Sequence, residues 1–131
     1  MRAGGLWGME GKRTILVADD DRDLVRTLRD GLERNGFETC VAYEGVRTIE
    51  LAHKKKPDLI ILDMRMPVGE GATVLDNLRS HRETEKIPVL VLTGVDRAGL
   101  EEEVKKLGAR EFIKKPCDLD FLIIKIRKYL S

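Results

Sequence analysis

From Arg13 onward the chain alternates between short apolar runs and stretches in which apolar residues recur at helical spacing. The runs at 14–18 (TILVA), 37–42 (FETCVA), 58–62 (DLIIL), 88–92 (PVLVL) and 111–114 (EFIK) predict five strands. Pro57 punctuates the start of the third run. Pro88 opens the fourth, where a missing N–H does least harm to a ladder. Between the runs, Leu24, Val25, Leu28 and Leu32 mark a first helix that stops at Asn35-Gly36. Residues 45–54 form a second, more weakly patterned helix, and Val74, Leu75 and Leu78 mark a third. Leu100, Val104 and Leu107, closed by Gly108, mark a fourth. Leu119, Leu122, Ile123, Ile126 and Leu130 mark a fifth, with Asp118 as its N-cap.

Strands without polar alternation, joined by helices, imply a parallel sheet covered on both faces. In such an α/β sheet, ligands bind outside the carboxyl ends of the strands. The residues found there are Asp19, Asp20 and Asp21 after the first strand and Asp63 after the third. Thr93 and Gly94 follow the fourth, and Lys115 and Pro116 the fifth. Taken singly, most have ordinary explanations: an Asp run before a helix caps it and suits its dipole, and a lone Thr or a Lys-Pro pair makes a turn. Asp63 is harder to dismiss, because a carboxylate adjoining a doubly buried strand needs partners to stay ionised. Acids gathered at one sheet edge repel one another, which raises their pKa values or demands a cation. An oxygen-only set without His or Cys suits a hard divalent ion, Mg²⁺ foremost. A hydroxyl and an ammonium beside it suit a phosphoryl group, which aspartate can accept as a nucleophile.

Composition adds limits. The 131 residues suit one domain, and 42% apolar with 36% charged residues fits a globular chain with a well-solvated surface. A net charge of +1 gives no sign of nucleic acid or anionic membrane as an obligatory partner. Cys40 and Cys117 show no metal-ligand spacing and read as packing residues. Without a secretory segment or membrane-length apolar run, a reducing cytoplasm is the simplest location. Residues 1–12, Gly-rich and holding the only tryptophan, Trp7, read as a flexible leader or expression remnant. That leaves 13–131 as the domain. Glu101 precedes Lys105, and Glu102 precedes Lys106, in the favourable order for a solvated helix face.

Four segments, ILVADDD, LIILDMRMP with Gly71 following, VLVLTG and FIKKP, together resemble the receiver domain of two-component response regulators. The resemblance covers the chain from about Arg13 to its end. It implies a flavodoxin-like, doubly wound (βα)5 three-layer sandwich with strand order 2-1-3-4-5. It also implies that Asp63 is the phosphoacceptor. Asp19 and Asp20 organise Mg²⁺, Asp20 being the better candidate for direct ligation, and the Arg65 backbone carbonyl supplies a further ligand. Thr93 bonds a phosphoryl oxygen, Gly94 leaves room for the donor, and Lys115 pairs with the phosphoryl and precedes a cis Pro116. A sensor histidine kinase or histidine phosphotransfer protein donates the phosphoryl. Thr93 and Phe112 form the switch, read out to an effector protein or output domain by the fourth helix, fifth strand and fifth helix. No direct nucleic-acid binding and no membrane insertion are implied.

Several residues depart from the family's pattern. Phe112 stands where Tyr is frequent and brings no hydroxyl. The Arg65 side chain borders the site, and Val68-Gly69-Glu70 replaces a more usual sequence, which would loosen the loop. Phe121 and Ile124 fall off the core stripe of the last helix, either as a dimer or partner contact or as ordinary exposed apolar area. Aspartyl-phosphate hydrolases and mutases also place Asp after a strand, but they want a second acid two residues on, where this chain has Arg65. A receiver that binds partners without phosphorylation would not need the complete acid, Thr and Lys set.

Overall fold

The computed structural model describes residues 11–130. The leader expected at 1–12 therefore lies, except for Gly11 and Lys12, outside the described residues, as does Trp7. The elements are β1 (Thr14–Ala18), α1 (Arg22–Arg34), β2 (Glu38–Ala42), α2 (Gly45–Lys55), β3 (Leu59–Leu62), α3 (Gly71–Arg79), β4 (Val89–Thr93), α4 (Leu100–Lys106), β5 (Glu111–Lys114) and α5 (Leu119–Leu130). All strand pairs are parallel and the sheet order is β2-β1-β3-β4-β5.

Alternate residues of the strands feed two separate cores. Leu16, Ala18, Ile60, Leu62, Val89 and Val91 pack toward α2, α3 and α4. Ile15, Val17, Leu59, Ile61, Leu90 and Leu92 pack toward α1 and α5. Both faces are thus apolar, which is why β1, β3 and β4 read as unbroken apolar runs. Edge strand β2 is only half-buried over Thr39–Val41. Cys40 packs against the first core and Cys117 against the second, both as free thiols.

Polar side chains close the helix ends. Asp21 caps α1, its carboxylate accepting from the N–H groups of Asp23 and Leu24. Arg79, at the end of α3, donates to the carbonyls of Glu85 (2.8 Å), Ile87 (2.9 Å) and Gly108 (3.0 Å), stapling two loops to that helix. Burial, followed by the nearby charge of Arg110, lowers the Arg79 pKa. Lys105 pairs with Glu101 at 3.0 Å as its spacing implied.

The loop after β3 differs from expectation. Instead of being loose, it is docked on α2: the N–H groups of Gly45 and Val46 donate to the carbonyls of Pro67 (3.1 Å) and Val68 (2.8 Å). Those carbonyls satisfy the first amides of a helix whose own N-cap, Glu44, makes no side-chain bond. The approach is close enough to require glycine, since a Cβ on Gly45 would lie 1.8 Å from the Gly69 carbonyl oxygen. Val68 sits at φ +50°, an unusual conformation for a β-branched residue.

Gly45→Ala should therefore cost about 1–3 kcal/mol by forcing the loop away from α2, measured by urea unfolding. An unchanged midpoint would show that the loop moves aside freely.

Candidate functional site

The sheet ladder runs one residue past each strand and so positions the polar set. The Asp19 N–H donates to the Ala42 carbonyl (3.1 Å), the Asp63 N–H to Ala18 (2.9 Å) and the Lys115 N–H to Thr93 (2.9 Å). Asp19, Asp63 and Thr93 are buried, at 3%, 5% and 0% exposure, while Asp20 is exposed. One carboxylate oxygen each from Asp19, Asp20 and Asp63 lie within 4.8 Å of one another.

A single ammonium answers these acids. Lys115 Nζ is 2.8 Å from Asp19 Oδ2 and 3.8 Å from Asp63 Oδ2. The other Asp19 oxygen accepts from the Asp21 N–H at 3.0 Å. Asp63 Oδ1 is buried without any hydrogen-bond partner, an arrangement that costs free energy unless something else binds there. Burial raises the Asp19 pKa against the opposing pull of Lys115 and the Asp21 amide, and the charge of Asp63 raises it further. For Lys115, burial works downward, but the bond to Asp19 and the charges of Asp19, Asp63 and Asp21 outweigh it and raise the pKa. A hard cation fits this set: among the described residues its ligand group is three carboxylates, and one buried carboxylate oxygen is unpaired.

The profile of the "Response regulator receiver domain" family matches residues 15–127. The chain belongs to the response regulator receiver family. Among similar proteins is the polar-differentiation response regulator DivK of Brucella abortus (strain 2308), 30% identical over 119 residues, which span 91% of this chain and 97% of that protein. Two solved structures are also similar. The receiver domain of the Francisella response regulator 1452 is 30% identical with a TM-score of 0.84, over 91% of this chain and 97% of that one. Chemotaxis response regulator CheY4 of Vibrio cholerae is 26% identical with a TM-score of 0.84, over 91% and 99%.

In this receiver, Asp19, Asp20, Asp63 and Lys115 converge, the Thr93 carbonyl holds the Lys115 N–H, and the Lys115–Pro116 bond is cis. The Thr93 hydroxyl accepts from the Val95 N–H at 3.2 Å. Lys115 lies nearer to Asp19 than to Asp63, a preference its place in the sequence does not reveal. A Cβ on Gly94 would have only Lys115 Cδ within 4 Å, at 3.9 Å, so this side of the site is open. Arg65 is exposed and, with Glu70, Val95 and Arg97, lines a groove of about 220 Å³. Phe112 is half-buried against the core beneath α4. Phe121 and Ile124 are 46% and 66% exposed on α5. Sequence reasoning missed the docking of the β3–α3 loop on α2. Its one signal was a glycine at the first position of the second helix.

Because its pKa is raised on folding, Asp19 holds its proton more tightly in the folded chain than in the unfolded one. Its contribution to stability therefore falls as pH rises from 3.8, the ordinary value, through the raised one. Chemical denaturation in chelator across this interval should show wild type losing stability relative to Asp19→Asn as pH rises. A constant difference would mean that Asp19 carries no strain.

Proposed function

We propose that this receiver domain accepts a phosphoryl group on Asp63 from a phosphohistidine of a sensor histidine kinase or histidine phosphotransfer protein. The observation that carries the reading is the buried, unpartnered Asp63 Oδ1 beside two further carboxylates and one ammonium. Asp19, Asp20, Asp63 and the Arg65 carbonyl would hold Mg²⁺, which offsets negative charge on the acceptor and the phosphoryl. An oxygen of Asp63 attacks phosphorus as the bond to the donor imidazole breaks, and the electron pair returns to the ring nitrogen. Lys115 is in reach of Asp63 and balances charge on the product. The domain turns over no external substrate; it catalyses only its own aspartyl phosphorylation and dephosphorylation.

Signalling then follows from one hydroxyl. Thr93, now serving the Val95 amide, turns toward the phosphoryl oxygens, and Phe112 packs into the space it leaves. The change biases a two-state equilibrium that α4, β5 and α5 present to an effector or output domain. Phe121 and Ile124 on α5 are candidates for that contact or for a homodimer. Neither nucleic-acid binding nor membrane insertion is part of this function. No described helix is long and apolar enough to cross a membrane.

Beryllofluoride with Mg²⁺ should raise the melting temperature of wild type by several degrees, through ligand linkage, and leave Asp63→Asn unmoved. A response surviving in folded Asp63→Asn would sink the assignment. Phe121→Asp should leave that shift intact while weakening self-association or effector binding about tenfold or more. Unchanged association by sedimentation and unchanged effector affinity would reduce Phe121 to an exposed apolar residue.

A further inference from the structure

The overall charge of +1 conceals a separation of charge by end. The acids of the phosphorylation site lie where strands lead into helices. At the opposite edge, where helices lead back into strands, lie Lys54, Lys55 and Lys56 ending α2, Arg82 and Lys86 between α3 and β4, and Arg110 before β5. All six are exposed, and none makes an ion pair. Apart from Arg65, every described lysine or arginine whose side chain makes no ion pair, hydrogen bond or ring contact lies at this edge. Nearby acids are largely committed: Glu83 is 2.7 Å from His53, and Asp58 accepts from the Thr14 N–H at 2.8 Å. Glu85 alone among the α3–β4 loop acids is left unpaired.

Favourable placement of cations at helix C-termini explains Lys54 and Lys55. It does not explain Arg82, Lys86 or Arg110, which stand in loops. These segments lead into β3, β4 and β5, adjacent strands about 4.8 Å apart. The cations therefore form a row across the sheet edge, not a stripe along one helix. We propose that this edge docks an acidic polypeptide segment, with carboxylates answering the lysine heads.

The surroundings favour this partner over other polyanions. A membrane surface calls for apolar residues among the cations, yet the exposed large apolar residues, Val46, Val68, Phe121 and Ile124, all lie outside the row. Single-stranded nucleic acid calls for open aromatic faces on which successive bases stack, whereas the His53 and His81 rings beside Lys54 and Arg82 are set edge-to-face on each other with centroids 4.9 Å apart, and Tyr129 beside Arg110 is bonded to Glu111. Duplex recognition calls for an element that enters a groove, whereas this edge presents short loops and helix C-termini, whose carbonyl ends do not suit phosphate. A segment bound here leaves Asp63 open, so docking and phosphorylation are compatible.

The test is fluorescence anisotropy of a labelled oligo-glutamate peptide against the whole chain at low salt. The combined variant Lys54→Glu, Lys55→Glu, Lys56→Glu should lose about tenfold or more in affinity. The equally charged control Arg26→Glu, Arg29→Glu, Arg47→Glu should stay within about twofold. If circular dichroism shows the first variant misfolded, Arg82→Glu with Lys86→Glu carries the same expectation. Equal losses in row and control variants would overturn the proposal in favour of net charge alone. Tighter binding of duplex DNA or of anionic vesicles than of the peptide would overturn it in favour of those partners. Salt-sensitive self-association abolished by the lysine variant would assign the edge to the acidic end of a second copy.

Discussion

The structure turns on three carboxylates held at one sheet edge with one ammonium to answer them. Asp19 and Asp63 are almost wholly buried, and Lys115 satisfies Asp19 far better than Asp63. Such a cluster is unfavourable by itself, because like charges repel and burial penalises ionisation. The fold holds it together because Asp19, Asp63 and Lys115 are each the first residue beyond a strand anchored by the apolar cores, with Asp20 following Asp19. One oxygen of Asp63 is left buried without a partner, a need that a divalent cation or a phosphoryl group would meet.

Much of this was legible because parallel strands buried on both faces leave a distinct trace. The runs TILVA (14–18), DLIIL (58–62) and PVLVL (88–92) predict strands whose observed bounds lie within one residue of them. Once the strands were placed, the polar residues after them had to share an edge. The second helix was harder to read because Gly45 and Thr48 occupy buried positions that an apolar pattern would have filled. Its cause is local: Gly45 must admit the Gly69 carbonyl, and the Thr48 hydroxyl donates back to the Glu44 carbonyl.

Other features could not be read from sequence because they depend on distances between elements far apart in the chain. Arg79 looks like an ordinary cation ending a helix, yet it binds carbonyls from two later loops. The preference of Lys115 for Asp19 needs both strand ends in place. The separation of charge likewise vanishes in a sum over the chain and emerges only when the α–β and β–α edges are told apart. Together these features describe a receiver with carboxylates gathered at one end of its sheet and exposed, unpaired cations at the other.

The most direct measurement locates the phosphoryl group itself. After incubation with Mg²⁺ and a small acyl-phosphate donor, borohydride reduction converts an aspartyl phosphate to homoserine, which peptide mass spectrometry can place. Homoserine at position 63, absent when Mg²⁺ is withheld, is the predicted result. Homoserine at position 19 or 20 instead, or none in a folded chain that binds Mg²⁺, would contradict the account.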